Sequence, residues 1–165
     1  MKVTQTFALP HPIERVAAVM IDPEFNVALE KLREGVVSSE FKMLRDGDTE
    51  KVFELRSREH KRTMTGGIDR SATVESVTTS RFDVARRRLT WDYRGEGGKM
   101  MRLGGVYSLA ARGESETVFT HDVSIEVSVP ILGKQIAKLI ARQFETRDDR
   151  YERLWKEFLD KEPAL

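Results

Sequence analysis

Apolar and polar positions alternate from the first residues of the chain. Val3, Gln5, Phe7 and Leu9 interleave with Lys2, Thr4, Thr6 and Ala8, a period of two that predicts a strand with one face turned inward. Pro10-His11-Pro12 stops it, and Pro12 suits the first turn of a helix whose face is Ile13, Val16, Ala17 and Met20. Asp22-Pro23-Glu24 marks a second helix: an aspartate to cap, a proline at the first helical position and an acid in the first turn. Its stripe is Phe25, Ala28, Leu29 and Leu32, with Gly35 just past its last turn.

From Val36 to Val129 the period returns to two. Val37, Ser39, Phe41 and Met43 share a face, Arg45-Asp46-Gly47-Asp48 is a hairpin signal, and Phe53, Leu55, Ser57 and Glu59 share the face of the next strand. His60 to Arg70 reads as a loop, most flexible at Thr65-Gly66-Gly67, and Ser71 to Thr79 as a strand. Leu89, Trp91 and Tyr93 alternate with Arg88, Thr90 and Asp92. Gly95-Glu96-Gly97-Gly98 turns the chain. Met101, Leu103, Tyr107 and Leu109 share a face that Gly104-Gly105 is expected to bend, and Phe119, His121, Val123, Ile125 and Val127 line the last strand. The order is strand, two short helices, about six strands and a long helix. Hairpin connections make the sheet antiparallel.

The final helix is expected to run from about Leu132 to Lys161, with an apolar stripe of Leu132, Ile136, Leu139, Ile140, Phe144, Tyr151, Leu154, Trp155 and Phe158. At 3.6 residues per turn these cover one third to one half of its circumference. So wide an apolar face needs a large concave partner, and a curved sheet is the element available. A helix laid across such a sheet leaves an interior hollow, where Phe53, Leu55, Trp91, Tyr93, Tyr107, Phe119, His121, Ile140, Phe144 and Tyr151 are expected to meet ligand. Arg147 breaks the stripe. A buried unpaired guanidinium costs several kcal/mol, so it either pairs internally, with Glu59 as candidate, or snorkels past the rim, or else it forks the carboxylate or phosphate of a bound amphiphile.

Composition narrows the function. The 165 residues suit one domain, residues 1–165, with a sizeable core. Lys and Arg number 28 against 27 Asp and Glu, which gives no global electrostatic case for nucleic acid. No apolar run is long enough to span a membrane, the start lacks the core of a signal peptide, and cysteine is absent, so disulfide and thiolate chemistry are excluded. The expected compartment is the cytoplasm.

Candidate chemistry is sparse. His11, His60 and His121 have no metal-ligand spacing, and no metal or cofactor is expected. His11, between two prolines, is expected to be exposed. Asp148 and Asp149 diverge by 100° on a helix and cannot act together on one atom. His121 falls on the inward face with Tyr93 and Tyr107. It is either a core histidine, a polar anchor for a ligand, or an acid/base working with one of those tyrosines. Arg86-Arg87-Arg88 reads as a solvated convex strand surface. His60 to Gly67, with positive charge, Met64 and glycines, reads as an ordinary mobile loop, the alternative being an entrance loop that touches a membrane during ligand exchange.

Leu9-Pro10-His11-Pro12-Ile13-Glu14-Arg15-Val16 and Asp22-Pro23-Glu24-Phe25, together with Val127-Ser128-Val129-Pro130-Ile131-Leu132-Gly133-Lys134 before the long helix, resemble the START-like (SRPBCC) helix-grip superfamily in an uncharacterised bacterial branch. The resemblance covers both ends and the order of elements. It implies an α+β fold in which a seven-stranded curved antiparallel sheet wraps around a long C-terminal helix, with an apolar cavity between them. The superfamily includes carriers, sensors, cyclases and chaperone activators. The leading expectation is non-catalytic binding of a hydrophobic or amphipathic small molecule such as a lipid, by a monomer or weak homodimer. The alternatives are a polyketide cyclase/aromatase-like enzyme using His121 with Tyr93 or Tyr107, and a protein-interaction module.

Overall fold

The computed structural model describes residues 1–63, 65, 67–95, 98–145 and 149–161. Arg147, Asp148, Met64 and Gly66, which carried expectations above, lie outside the described residues.

Seven antiparallel strands form one sheet: β1 (Lys2–Leu9), β2 (Val36–Asp46), β3 (Glu50–Arg62), β4 (Ile68–Asp83), β5 (Arg88–Arg94), β6 (Met101–Ala111) and β7 (Thr117–Val127). Their spatial order is β1-β7-β6-β5-β4-β3-β2, so every neighbour but β1–β7 is also a neighbour in sequence. Helices α1 (Ile13–Met20) and α2 (Pro23–Leu32) join β1 to β2, and α3 (Gly133–Glu145) and α4 (Asp149–Asp160) follow β7. This is the α+β helix-grip architecture.

Local chemistry sets the helix ends. The Asp22 carboxylate accepts from the backbone N–H groups of Glu24 (2.8 Å) and Phe25 (3.2 Å), with Pro23 at the first helical position. That satisfies two donors the helix leaves unpaired. Gly35 takes a left-handed φ of +91° after α2, a conformation open to glycine at little cost. At the far end of the chain, Arg15 donates to the carbonyls of Phe158 (2.9 Å) and Lys161, placing a cation at the negative end of α4.

The register fixes a single inward face. Phe7 pairs with Phe119, Gln5 with His121, Tyr107 with His121, Trp91 with Gly105 and Leu89 with Tyr107. Trp91 and Phe119 therefore lie on one side of the sheet, as their alternation requires. A Cβ on Gly105 would sit 2.6 Å from Trp91 Nε1, so the glycine leaves room for the indole. α3 lies against β7 and β1, while α4 packs on α1 and α2, with Phe25 and Trp155 ring centroids 4.4 Å apart.

Several expectations are corrected. β3 and β4 extend through Arg62 and from Ile68, so the loop between them is shorter than His60 to Arg70 and His60 belongs to a strand. A register shift between Val36 and Ser38 places Val36, not Val37, opposite Glu59. Val37 is consequently turned out, 53% exposed, because one extra residue flips the face. Arg86 and Arg87 lie in the β4–β5 turn, where Arg87 pairs with Glu14 at 3.0 Å. His11 is half-buried, 3.3 Å from Asp160. On α3 the buried side chains are Ala137 and Ala141, beside the expected stripe rather than in it. Their small side chains let the helix approach the sheet, and Leu139 is left at the edge.

Candidate functional site

A cavity of about 660 Å³ lies between the concave face of the sheet, α2 and the C-terminal helices. Eight of the eleven residues expected at the site line it: Leu55, Trp91, Tyr93, Tyr107, His121, Ile140, Phe144 and Tyr151. Phe53 and Phe119 share the inward face but are wholly buried in the core. Phe53 stacks on Phe41 at 4.9 Å, and Phe119 packs against Phe7, Tyr107 and Trp155. Exposed members of the lining, Thr63, Met100, Leu139 and Gln143, mark where the cavity opens.

His121, on β7, is buried beside the Tyr107 ring, with centroids 4.3 Å apart. The Trp91 indole N–H donates to His121 Nε2 at 3.1 Å. Nε2 must then carry its lone pair, and the neutral ring holds its proton on Nδ1. Burial favours the neutral form and pushes the imidazole down to about 4. Nδ1 is buried with no hydrogen-bond partner. Burial raises both phenols; the contact with Tyr151 adds to the rise of Tyr107, whereas the contacts with Trp155 and Tyr107 draw Tyr151 partly back. Neither ionises near neutral pH. This wall offers neutral hydrogen-bonding groups under an aromatic surface.

The opposite wall is ionic. Arg33, just past α2, reaches Glu59 at 2.7 Å and also pairs with Glu30. Tyr93 Oη donates to Glu59 Oε1 (2.6 Å) and Ser76 Oγ to Oε2 (2.9 Å), while Ser57 Oγ donates to Glu30 at 3.1 Å. The guanidinium lies 5.2 Å from the Tyr93 ring centre. Burial alone would raise the Glu59 carboxyl, but the charge of Arg33 and the hydrogen bonds from Arg33, Tyr93 and Ser76 outweigh it and hold the group below its ordinary value. Burial and the bond to Glu59 push the Tyr93 phenol up. The partner the structure shows for Glu59 is therefore Arg33. Glu30, Arg33 and Glu59 all line the cavity, two carboxylates against one committed guanidinium.

Sequence reasoning missed Arg33, Glu30, Asn26 and Gln5 as lining residues. Arg33 has extended backbone as the residue that ends α2, so helical periodicity does not govern where it points. Glu30 and Asn26 flank the α2 stripe. Gln5 was placed inward by alternation but its polarity drew no functional weight. Among the described residues no group of three His, Asp or Glu side chains is placed to hold a metal ion, and no helix is long and apolar enough to cross a membrane.

Comparison with solved structures identifies the fold. A START superfamily protein from Mycobacterium smegmatis superposes with a TM-score of 0.59 at 14% identity, covering 96% of this chain and 97% of that one. Ara h 8.0201 gives 0.62 at 10% identity, covering 98% and 99%. The Zhui aromatase/cyclase from Streptomyces sp. R1128 gives 0.56 at 14% identity, covering 96% and 90%. At such identities the likeness shows the START-like (SRPBCC) helix-grip fold. No protein with a curated description matches the sequence. Residues 4–159 match the family model described as "Protein of unknown function (DUF2505)", and on that match, nearly end to end, the chain belongs to the DUF2505 family and carries it on a helix-grip fold.

Proposed function

We propose that this protein binds a hydrophobic or amphipathic small molecule, of the size and character of a lipid or isoprenoid, as a carrier or sensor. The observation that carries this reading is the cavity of about 660 Å³ lined by Leu55, Trp91, Ile136, Ile140 and Phe144. That volume lies within the roughly 300–1,000 Å³ of small-molecule sites, and the lining has their composition, mostly apolar with a few placed polar groups. Binding is driven by removing apolar ligand surface from water. The wall at His121 orients a neutral oxygen better than an acid, because the imidazole is uncharged and Arg33 is already held by two glutamates. The open interior also favours ligand binding over a pure protein-interaction module, whose core would be filled.

A cyclase-type enzyme is the second reading, supported by the unpartnered His121 Nδ1 beside Tyr107 and by the aromatase/cyclase of the same fold. An imidazole with a pKa of about 4 is a weak base at neutral pH, and the raised phenols donate rather than accept protons, so the groups suit holding a ligand more than turning it over.

Titration with an environment-sensitive apolar fluorophore tests the binding reading. Saturable one-to-one binding is expected, displaced by a neutral long-chain alcohol more readily than by the matching acid. Thr78→Trp, which puts a large ring into the lining, should abolish binding while the protein still melts cooperatively. No saturable binding by the folded wild type sinks the proposal. Product formed from a polyketone probe, and lost in His121→Gln, would replace it with the enzyme reading.

A further inference from the structure

Exposed apolar side chains gather where the cavity opens. Met100 and Leu139 line it and are yet 56% and 37% exposed. Beside them Ile131, two residues after the lining residue Val129, is 98% exposed. The two segments are tied together: Ser128 N–H donates to the Met100 carbonyl at 2.7 Å. Ile131 also has a φ of +69°, a conformation β-branched residues rarely adopt. The chain thus accepts a strained backbone at Ile131 and buries nothing with it. Strain of this kind concentrates where a surface is used.

The surrounding charge is mostly positive. Lys134, Lys138 and Arg142 fall four residues apart on one exposed stripe of α3, Lys99 precedes Met100, and Arg102 follows on β6. The whole chain is nearly neutral, 28 basic residues against 27 acidic, so this concentration is local. The only acidic residue of α3 is Glu145, at its far end, and Arg102 faces Glu126 across the β6–β7 register.

We propose that this rim docks on an anionic lipid bilayer, with Ile131 and Met100 entering the acyl region while Lys99, Lys134 and Lys138 meet the phosphates. Charge complementarity selects this occupant: exposed apolar tips ringed by cations match the layered chemistry of a bilayer with negative headgroups. Docking in this pose sets the cavity mouth against the hydrocarbon. The proposal goes beyond the cavity reading and is tested at Ile131, Lys134 and Lys138, none of which lines the cavity, so the two can fail separately.

Co-sedimentation with vesicles of phosphatidylcholine, and of phosphatidylcholine mixed equally with phosphatidylglycerol, is the test. Wild-type protein is expected on the mixed vesicles, much less on the neutral ones, and less again in high salt. Ile131→Gly removes the apolar tip and suits the positive φ, so folding should be retained or improved. It should weaken partitioning roughly tenfold to a hundredfold. Lys134→Gln/Lys138→Gln should weaken it about thirtyfold. Both variants should still bind the apolar fluorophore as the wild type does. Binding indifferent to phosphatidylglycerol, or equal for Ile131→Gly and wild type, overturns the proposal. So does self-association at micromolar concentration that Ile131→Gly abolishes, which would assign the rim to a second copy. Vesicle binding without fluorophore binding would uphold docking and remove the cavity reading instead.

Discussion

Removing the Arg33 guanidinium strikes an ionic network in the cavity wall. In Arg33→Met, Glu59 and Glu30 lose the cation they share, 2.7 Å from Glu59 in the intact protein. The two carboxylate side chains are only 8% and 12% exposed, so water replaces little of what is lost. Breaking a buried pair from one side costs about 3–5 kcal/mol, which for a domain of this size lowers Tm by roughly 6–20 °C. Glu59→Leu should cost about 3 kcal/mol, because Arg33 keeps Glu30 while the Tyr93 and Ser76 hydroxyls lose their acceptor. The double variant removes both charges, and its cost should fall below the sum of the singles by about 2 kcal/mol. The pH dependence has a definite sign. In the wild type, burial raises Glu59, but Arg33 and its hydrogen bonds hold it below 4.5. Its stabilising contribution is present above that value and is lost as pH falls through the folded pKa. In Arg33→Met, burial dominates and the carboxyl is raised, so protonation relieves the damage and the gap to wild type narrows from pH 7 towards 4. Chemical unfolding of the four proteins across this range measures both effects. Single-variant costs that add within about 0.5 kcal/mol, with a gap constant in pH, would refute the network.

Two further outcomes concern the aromatic wall. Gly105→Ala puts a Cβ 2.6 Å from Trp91 Nε1 and 2.8 Å from the Asp122 carbonyl; it should destabilise by about 1–3 kcal/mol and alter the near-ultraviolet signal of Trp91, and a melt matching wild type would show that the indole has room to spare. Burial holds the folded His121 at about 4 against 6.5, so between these values the unfolded chain takes up a proton that the folded one refuses. Stability should fall by up to about 3 kcal/mol across that window as pH drops, beginning above the range where Glu59 acts. His121→Gln, which can still accept from Trp91, should lack that slope; an unchanged slope would mean the imidazole is not held neutral.

Periodicity by itself determined the helix-grip order, because its signals are local. Asp22-Pro23 caps a helix wherever it occurs, Arg45 to Asp48 closes a hairpin, and alternation in residues 89–93 and 119–127 fixes which side chains point together. Trp91, Tyr107, His121 and Phe144 could therefore be assigned to one interior before any fold was known. What alternation could not give is position along that face. Phe53 and Phe119 point the same way as Leu55 and His121, yet neighbouring rings fill the space above them, and only the curvature of the sheet and the seat of the helices decide which inward residues meet a void. Tertiary structure also decided the charges. Arg33 leaves α2 in an extended conformation and reaches Glu59 on another strand, a contact between residues 26 positions apart that no local pattern encodes. Val37 faced out because a bulge inserted one residue, and Leu139 stayed at the rim because Ala137 and Ala141 brought α3 down onto the sheet. The sequence carries its secondary structure in short-range sterics and solvent preference, whereas the cavity, its ionic wall and its mouth arise from how far apart the finished elements can pack.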